Sequence, residues 1–191
     1  MNQPIETLEH EGFRIRIYPD DIGGDGPREW DNLGKMVCFH RRYEVGDKHS
    51  YSIEEAVELE VADHVVSLPL CLYDHSGLRM KVGSFQGLLP QGHAEFDSGK
   101  VGLIFVTKAD VLKEYKAKKL TKELLERVHK VLEAEVDTYD QYLSGQVYGY
   151  VIEDTHGDRV DSCWGFYGWD YVKEEARSVA AHYAEKVGAG C

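Results

Sequence analysis

The sequence predicts an α+β domain: a mainly antiparallel sheet with about three helices packed on one face. Three observations lead there. Apolar stretches of strand length come first, long helical periodicities dominate the second half, and no regular strand–helix alternation links them. The 191 residues contain no repeat and no linker-like tract. A single domain over 1–191 is expected, with 1–11 and 188–191 flexible.

Each element has its own signal. Phe13, Ile15 and Ile17 alternate with Arg14, Arg16 and Tyr18, the period of a half-buried strand, and Pro19 ends it. Residues 20–27 are rich in glycine and aspartate and read as a loop. Met36 to His40 is a short second strand. After a polar, turn-rich stretch, Ser52 and Glu55 form the capping box of a short acidic helix reaching Val61. Val65 to Tyr73 reads as a buried strand, with Pro69 implying a sheet edge or a bulge. Gly77 to Gly99 reads as a long surface loop with room for a small hairpin.

Val101 to Val106 is a further apolar strand. Thr107 caps a helix over 108–116, and Thr121 caps a longer one. In that longer helix Leu125, Val128, Leu132, Val136, Tyr139 and Leu143 form one stripe, and Gly145 stops it. Two strands, 147–153 and 159–164, flank a turn at Asp154–Asp158. Gly165 to Gly168 reads as a break before a last helix over 170–187.

Charge limits the function classes. Acidic side chains number 34 against 22 basic, a net charge of -12, which opposes general binding to nucleic acid or anionic membranes. The surplus is uneven, because Lys108 to Lys130 holds eight basic and four acidic residues. That stretch is either a solvated helical face or a patch for an acidic or phosphate-bearing ligand. No apolar run approaches the roughly 20 residues of a membrane span. Residues 1–11 lack the basic residue of a signal peptide, and Cys38, Cys71, Cys163 and Cys191 are scattered. Reduced thiols and a cytoplasmic location are expected.

Two clusters carry candidate chemistry. Cys38, His40, Arg41, Arg42, Asp47 and His49 lie close in sequence, with Asp74 and His75 downstream. His40, Asp47, His49, Asp74 and His75 have the side chains for acid–base catalysis. His40, His49, Asp74 and His75 are candidate ligands for a divalent metal. The competing reading is a core cysteine with local loop hydrogen bonds. The second cluster is aromatic, with Trp164, Phe166 and Tyr167 separated by glycines. They either splay around a flat ligand or seal a hairpin against the helices. With Arg41, Arg42, Tyr73 and Tyr139 they form the candidate set for a nucleotide-like ligand or a protein partner. Residues 22–26 lack the Walker lysine, and neither an EF-hand nor G-x-S-x-G occurs.

Several stretches carry a resemblance when taken as a set. They are Trp30-Asp31-Asn32-Leu33-Gly34, Met36-Val37-Cys38-Phe39-His40-Arg41-Arg42-Tyr43, Leu72-Tyr73-Asp74-His75-Ser76-Gly77, Thr138-Tyr139-Asp140-Gln141-Tyr142-Leu143, Val147-Tyr148-Gly149-Tyr150 and Cys163-Trp164-Gly165-Phe166-Tyr167-Gly168. Over about residues 12–176 the chain resembles a family of bacteriophage, prophage and mobile-element proteins with no established mechanism. The resemblance implies an accessory gene acting on host machinery or host defence in the bacterial cytoplasm, and it brings no catalytic residues. Two functions are therefore expected to compete. One is a non-enzymatic protein that inhibits or sequesters a host component, by acidic mimicry towards a basic surface or by nucleotide binding. The other is a metal-dependent hydrolase or nuclease built on the His/Asp cluster.

Overall fold

The computed structural model describes residues 3–21, 26–88 and 97–188. Much of the 20–27 loop, part of the 77–99 loop, and the tail with Cys191 lie outside them. The α+β class holds, with four helices and two four-stranded antiparallel sheets among the described residues. The chain forms two compact units, 1–24 with 145–191 and, between them in sequence, 25–144.

The first unit contains β1 (Glu6–His10), β2 (Phe13–Pro19), β7 (Val147–Glu153), β8 (Arg159–Tyr167) and α4 (Trp169–Gly188). Its sheet has the order β1-β2-β7-β8. The alternation read in β2 is the burial pattern found: Ile15 and Ile17 are fully buried, with Tyr150 and Ile152 beside them. Val172, Ala176 and Ala180 recur every fourth residue and lay one face of α4 on that core. Two small side chains bring the helix close to the sheet. β1, in a segment expected to be flexible, pairs along its length with β2. Lys173 of α4 also contacts Glu6 at 2.9 Å.

The strand β8 does not stop at Gly165. Gly165 takes a φ of +83°, and Trp164 and Gly165 together oppose Gly149, which makes a bulge that the chain runs through. The expected break is therefore a bulge inside a longer strand.

The second unit contains β3 (Lys35–Cys38), α1 (Ile53–Val61), β4 (Val65–Asp74), β5 (Leu78–Val82), β6 (Ser98–Thr107), α2 (Lys108–Glu114) and α3 (Lys122–Leu143). Its sheet order is β3-β6-β4-β5. Both faces are covered, not one. Met36, Leu72, Ile104 and Val106 pack on Val128, Leu132 and Val136 of α3 and Val111 of α2. On the other face Val37, Leu103 and Phe105 meet Ala56 of α1. Burial on both faces is why β4 and β6 read as continuous apolar runs. The caps are as the sequence implies. Ser52 and Glu55 make a reciprocal capping box, and the hydroxyls of Thr107 and Thr121 accept from the N–H groups of Asp110 and Leu124.

Pro69 lies in an interior strand of the sheet, not on an edge strand, and next to a bulge. β5 covers only Leu70–Asp74 of β4, so Pro69 lies where that side of the strand opens, and its carbonyl accepts from the Gly83 N–H at 2.9 Å. The next residue adjoins a bulge, with Val101 as the extra residue of β6 between the partners of Leu70 and Cys71. Beside it, Gly102 has no room for a side chain: a Cβ there would stand 1.9 Å from the Val37 carbonyl oxygen.

Gly102→Ala is expected to cost about 3 kcal/mol or more by forcing β3 from β6. Gly99→Ala, in open space on the same strand, should stay within about 0.5 kcal/mol of the parent. Urea unfolding of the two variants measures the difference.

Candidate functional site

The sequence cluster around Cys38 to His49 is built on a buried ionic clamp. Arg28, in the 3₁₀ turn Pro27–Glu29, is 7% exposed at its side chain. Its Nε and Nη2 donate to the two Asp47 oxygens at 2.8 Å each. Nη1 donates to Glu135 of α3 at 3.0 Å, and Nη2 also donates to the Gly34 carbonyl at 2.6 Å. Glu135 in turn accepts from the Leu33 N–H at 2.8 Å, and Asp47 accepts from the Met36 N–H at 2.7 Å. Four of the five Arg28 N–H donors therefore have acceptors, and both carboxylates also take backbone N–H groups, which offsets the cost of burying these charges. Asp47, a candidate catalytic residue, is a structural ligand of Arg28.

Cys38 and Tyr139 belong to the same interior. Burial, and then the nearby Asp47 charge, push the Cys38 thiol up to about 12. It is an inert core group. Tyr139, a candidate ligand contact, is 5% exposed, and its hydroxyl accepts from the Gly46 N–H at 2.9 Å. Burial raises its pKa as well.

The histidines are also engaged locally. His40 Nδ1 accepts from the Arg42 and Tyr43 N–H groups at 3.3 Å each, and its ring stacks on Tyr43 with centroids 5.2 Å apart. His49 Nε2 lies 3.0 Å from the Cys38 carbonyl, which only accepts, so Nε2 carries the proton. Among the described residues, His49 Nδ1 is buried with no hydrogen-bond partner. Asp74 pairs with Arg42, and His75 Nδ1 lies 3.2 Å from Asp97. Tyr73 lies against the His75 and Phe85 rings.

The structure brings part of the predicted set together. His40, Arg42 and Asp74 line a cavity of about 310 Å³ with Asp97 and Lys100. His40, Arg41, Tyr43, Asp47 and His49 line a second, open one of about 690 Å³. Among the described residues, no three His, Cys, Asp or Glu side chains converge as a metal would need. Among the described residues the arrangement includes the Arg42–Asp74 and His75–Asp97 pairs around a loop.

Trp164, Phe166 and Tyr167 belong to the other unit. Strict alternation would put Trp164 and Phe166 on one face, but the Trp164–Gly165 bulge separates them. Phe166 turns towards the α4 core, 5.4 Å from the Tyr150 ring. Trp164 covers Gly149 on the opposite face, where a Cβ would come within 2.1 Å of its ring, and stays 45% exposed beside Tyr18. Phe166 thus seals the core, and Trp164 keeps one face open.

One surface was missed by sequence reasoning. α1 presents Ile53, Val57 and Val61 to solvent, 60%, 55% and 79% exposed, while Ala56 makes its buried contact. Their four-residue spacing was the available signal, but such a stripe ordinarily marks the core face. Glu54 and Glu58 flank the stripe, and neither has an ion-pair partner among the described residues. The lysine-rich stretch belongs to α2 and α3, on the opposite face of this unit's sheet. There Arg127 lies over the Tyr115 ring and Lys122 pairs with Glu126.

No family model matches the chain, and neither a curated protein nor a solved structure matches it. No described helix is long and apolar enough to cross a membrane.

Asp47→Ala should cost about 3 kcal/mol, because it strips buried Arg28 of two of its hydrogen bonds, leaving it on Glu135 and the Gly34 carbonyl, and takes away the acceptor of the Met36 N–H. In a double-mutant cycle Arg28→Met should recover part of that loss, read by urea unfolding. An alkaline titration tests the interior separately. Folding holds the protons of Cys38 and, through burial, Tyr150 up to about 12, from ordinary values of 9.0 and 10.0. Their contribution is complete below pH 9 and is lost as pH rises through about 12. Cys38→Ala should remove the part of this decline that begins near pH 9, measured as stability against pH.

Proposed function

We propose that the chain is a non-enzymatic binding protein of the accessory kind carried by phages, which inhibits or sequesters a host component with a basic surface. The observation that carries this reading is α1. The helix contains Glu54, Glu55, Glu58 and Glu60 and no basic residue, and Asp63 follows it. Glu55 serves the N-terminal cap and Glu60 pairs with Lys100, which leaves Glu54 and Glu58 as free exposed charge among the described residues. Such a face attracts a basic groove over a distance of about 8–10 Å at physiological salt and speeds encounter more than it tightens the final complex. The His/Asp cluster supports the same reading, since Asp47 and Asp74 are committed to Arg28 and Arg42.

Affinity capture from a bacterial lysate, across a salt series from about 50 to about 500 mM, tests the proposal. Capture of a basic host protein should fall steadily with salt and should be lost in Glu54→Lys/Glu58→Lys. Salt-independent capture, or equal capture by that variant, would overturn it. So would a nucleotide that raises the melting temperature without any protein partner.

A further inference from the structure

The exposed stripe of α1 continues into a groove. Between α1 and β6 lies a cavity of about 280 Å³, lined by Phe39, Ile53, Val57, Val101 and Leu103 with Glu60 and Lys100 at its margin. It is smaller than the roughly 300–1,000 Å³ of small-molecule sites. Among the described residues its charged lining is the Glu60–Lys100 pair, whose charges are paired with each other. The Val101 bulge beside Gly102, which has no side chain, leaves the floor of this groove to backbone and apolar groups.

We infer that this surface docks a basic amphipathic helix of the partner, with one large apolar side chain seated in the groove. The inference rests on the sequestration reading for the partner's charge, and it adds the apolar anchor and the shape. Ile53, Val57 and Val61 follow one line for about 12 Å, two helical turns, so a second helix is the natural complement. Glu54 and Glu58 border that line along one side, and lysine or arginine on the flank of the incoming helix would meet them. The same charges argue against other occupants. Two copies of α1 facing each other would oppose their own carboxylates, and an anionic lipid surface would be repelled.

The test uses the full chain and a labelled synthetic peptide of about 18 leucine and lysine residues in amphipathic helical order. Anisotropy reads binding and circular dichroism reads helix formation. The parent should bind with a gain of helix, and a leucine–glutamate peptide of the same pattern should not. Val57→Asp, on an exposed position, should keep the melting curve and weaken binding at least about tenfold. Glu54→Lys/Glu58→Lys should weaken it too and flatten its salt dependence. If Val57→Asp binds like the parent while the charge variant loses binding, the helix-docking inference fails and the acidic-surface reading stands. If the peptide does not bind, or neither variant matters, both fail. Concentration-dependent self-association of the parent that Val57→Asp abolishes would assign the groove to a second copy and overturn the inference.

Discussion

The unit spanning 25–144 depends on one buried cation. Arg28 holds Asp47, Glu135 and the Gly34 carbonyl at once, and its partners hold the N–H groups of Leu33 and Met36. The segments at 28, 33–36 and 47 are tied to one another and to the distant Glu135 by one planar fork, a geometry lysine cannot supply. The clamp also explains Gly34. The segment passes so close to α3 and the sheet that a Cβ would lie 2.5 Å from Leu132 and 2.8 Å from Ile104. The loop with His40, Arg41 and Arg42 leaves β3 and returns to the clamp at Asp47. From that base Arg42 reaches Asp74, while His40 accepts from the N–H groups of the loop itself.

The sheet in this unit is covered unequally. α3 runs for 22 residues and buries Val128, Leu132, Val136 and Tyr139. On the other face α1 runs for only nine and buries Ala56. A short acidic helix with a small buried contact has most of its circumference left for solvent. That imbalance exposes Ile53, Val57 and Val61, and it leaves the groove between α1 and β6.

Local features were legible because local chemistry sets them. Ser52, Thr107 and Thr121 each cap the helix their sequence context implies, and Gly145 at φ +70° ends α3. Asp154 accepts from the N–H groups of His156 and Asp158 in the expected hairpin turn. Features that depend on distant partners were not legible. β1 is a polar strand, Glu-Thr-Leu-Glu-His, which forms because β2 offers it an edge. The division into two sheets follows from pairings such as Ile17 with Tyr150, which no local window contains. Asp47 resembled an acid–base group because its partner, Arg28, lies nineteen residues away. The bulge at Gly165 looked like a chain break, since glycine serves both.

The pairing of β2 with β7 also has a temporal side. Residues 25–144 form a continuous unit and can complete their own core as soon as they leave the ribosome. The β1–β2 hairpin is made first but must wait for β7, β8 and α4, and a lone two-stranded hairpin is marginal in water. During synthesis the buried face of β2, with Phe13, Ile15 and Ile17, therefore stays uncovered until β7, β8 and α4 arrive. The inserted unit thus matures before the unit that flanks it in sequence, although synthesis of the flanking unit starts earlier.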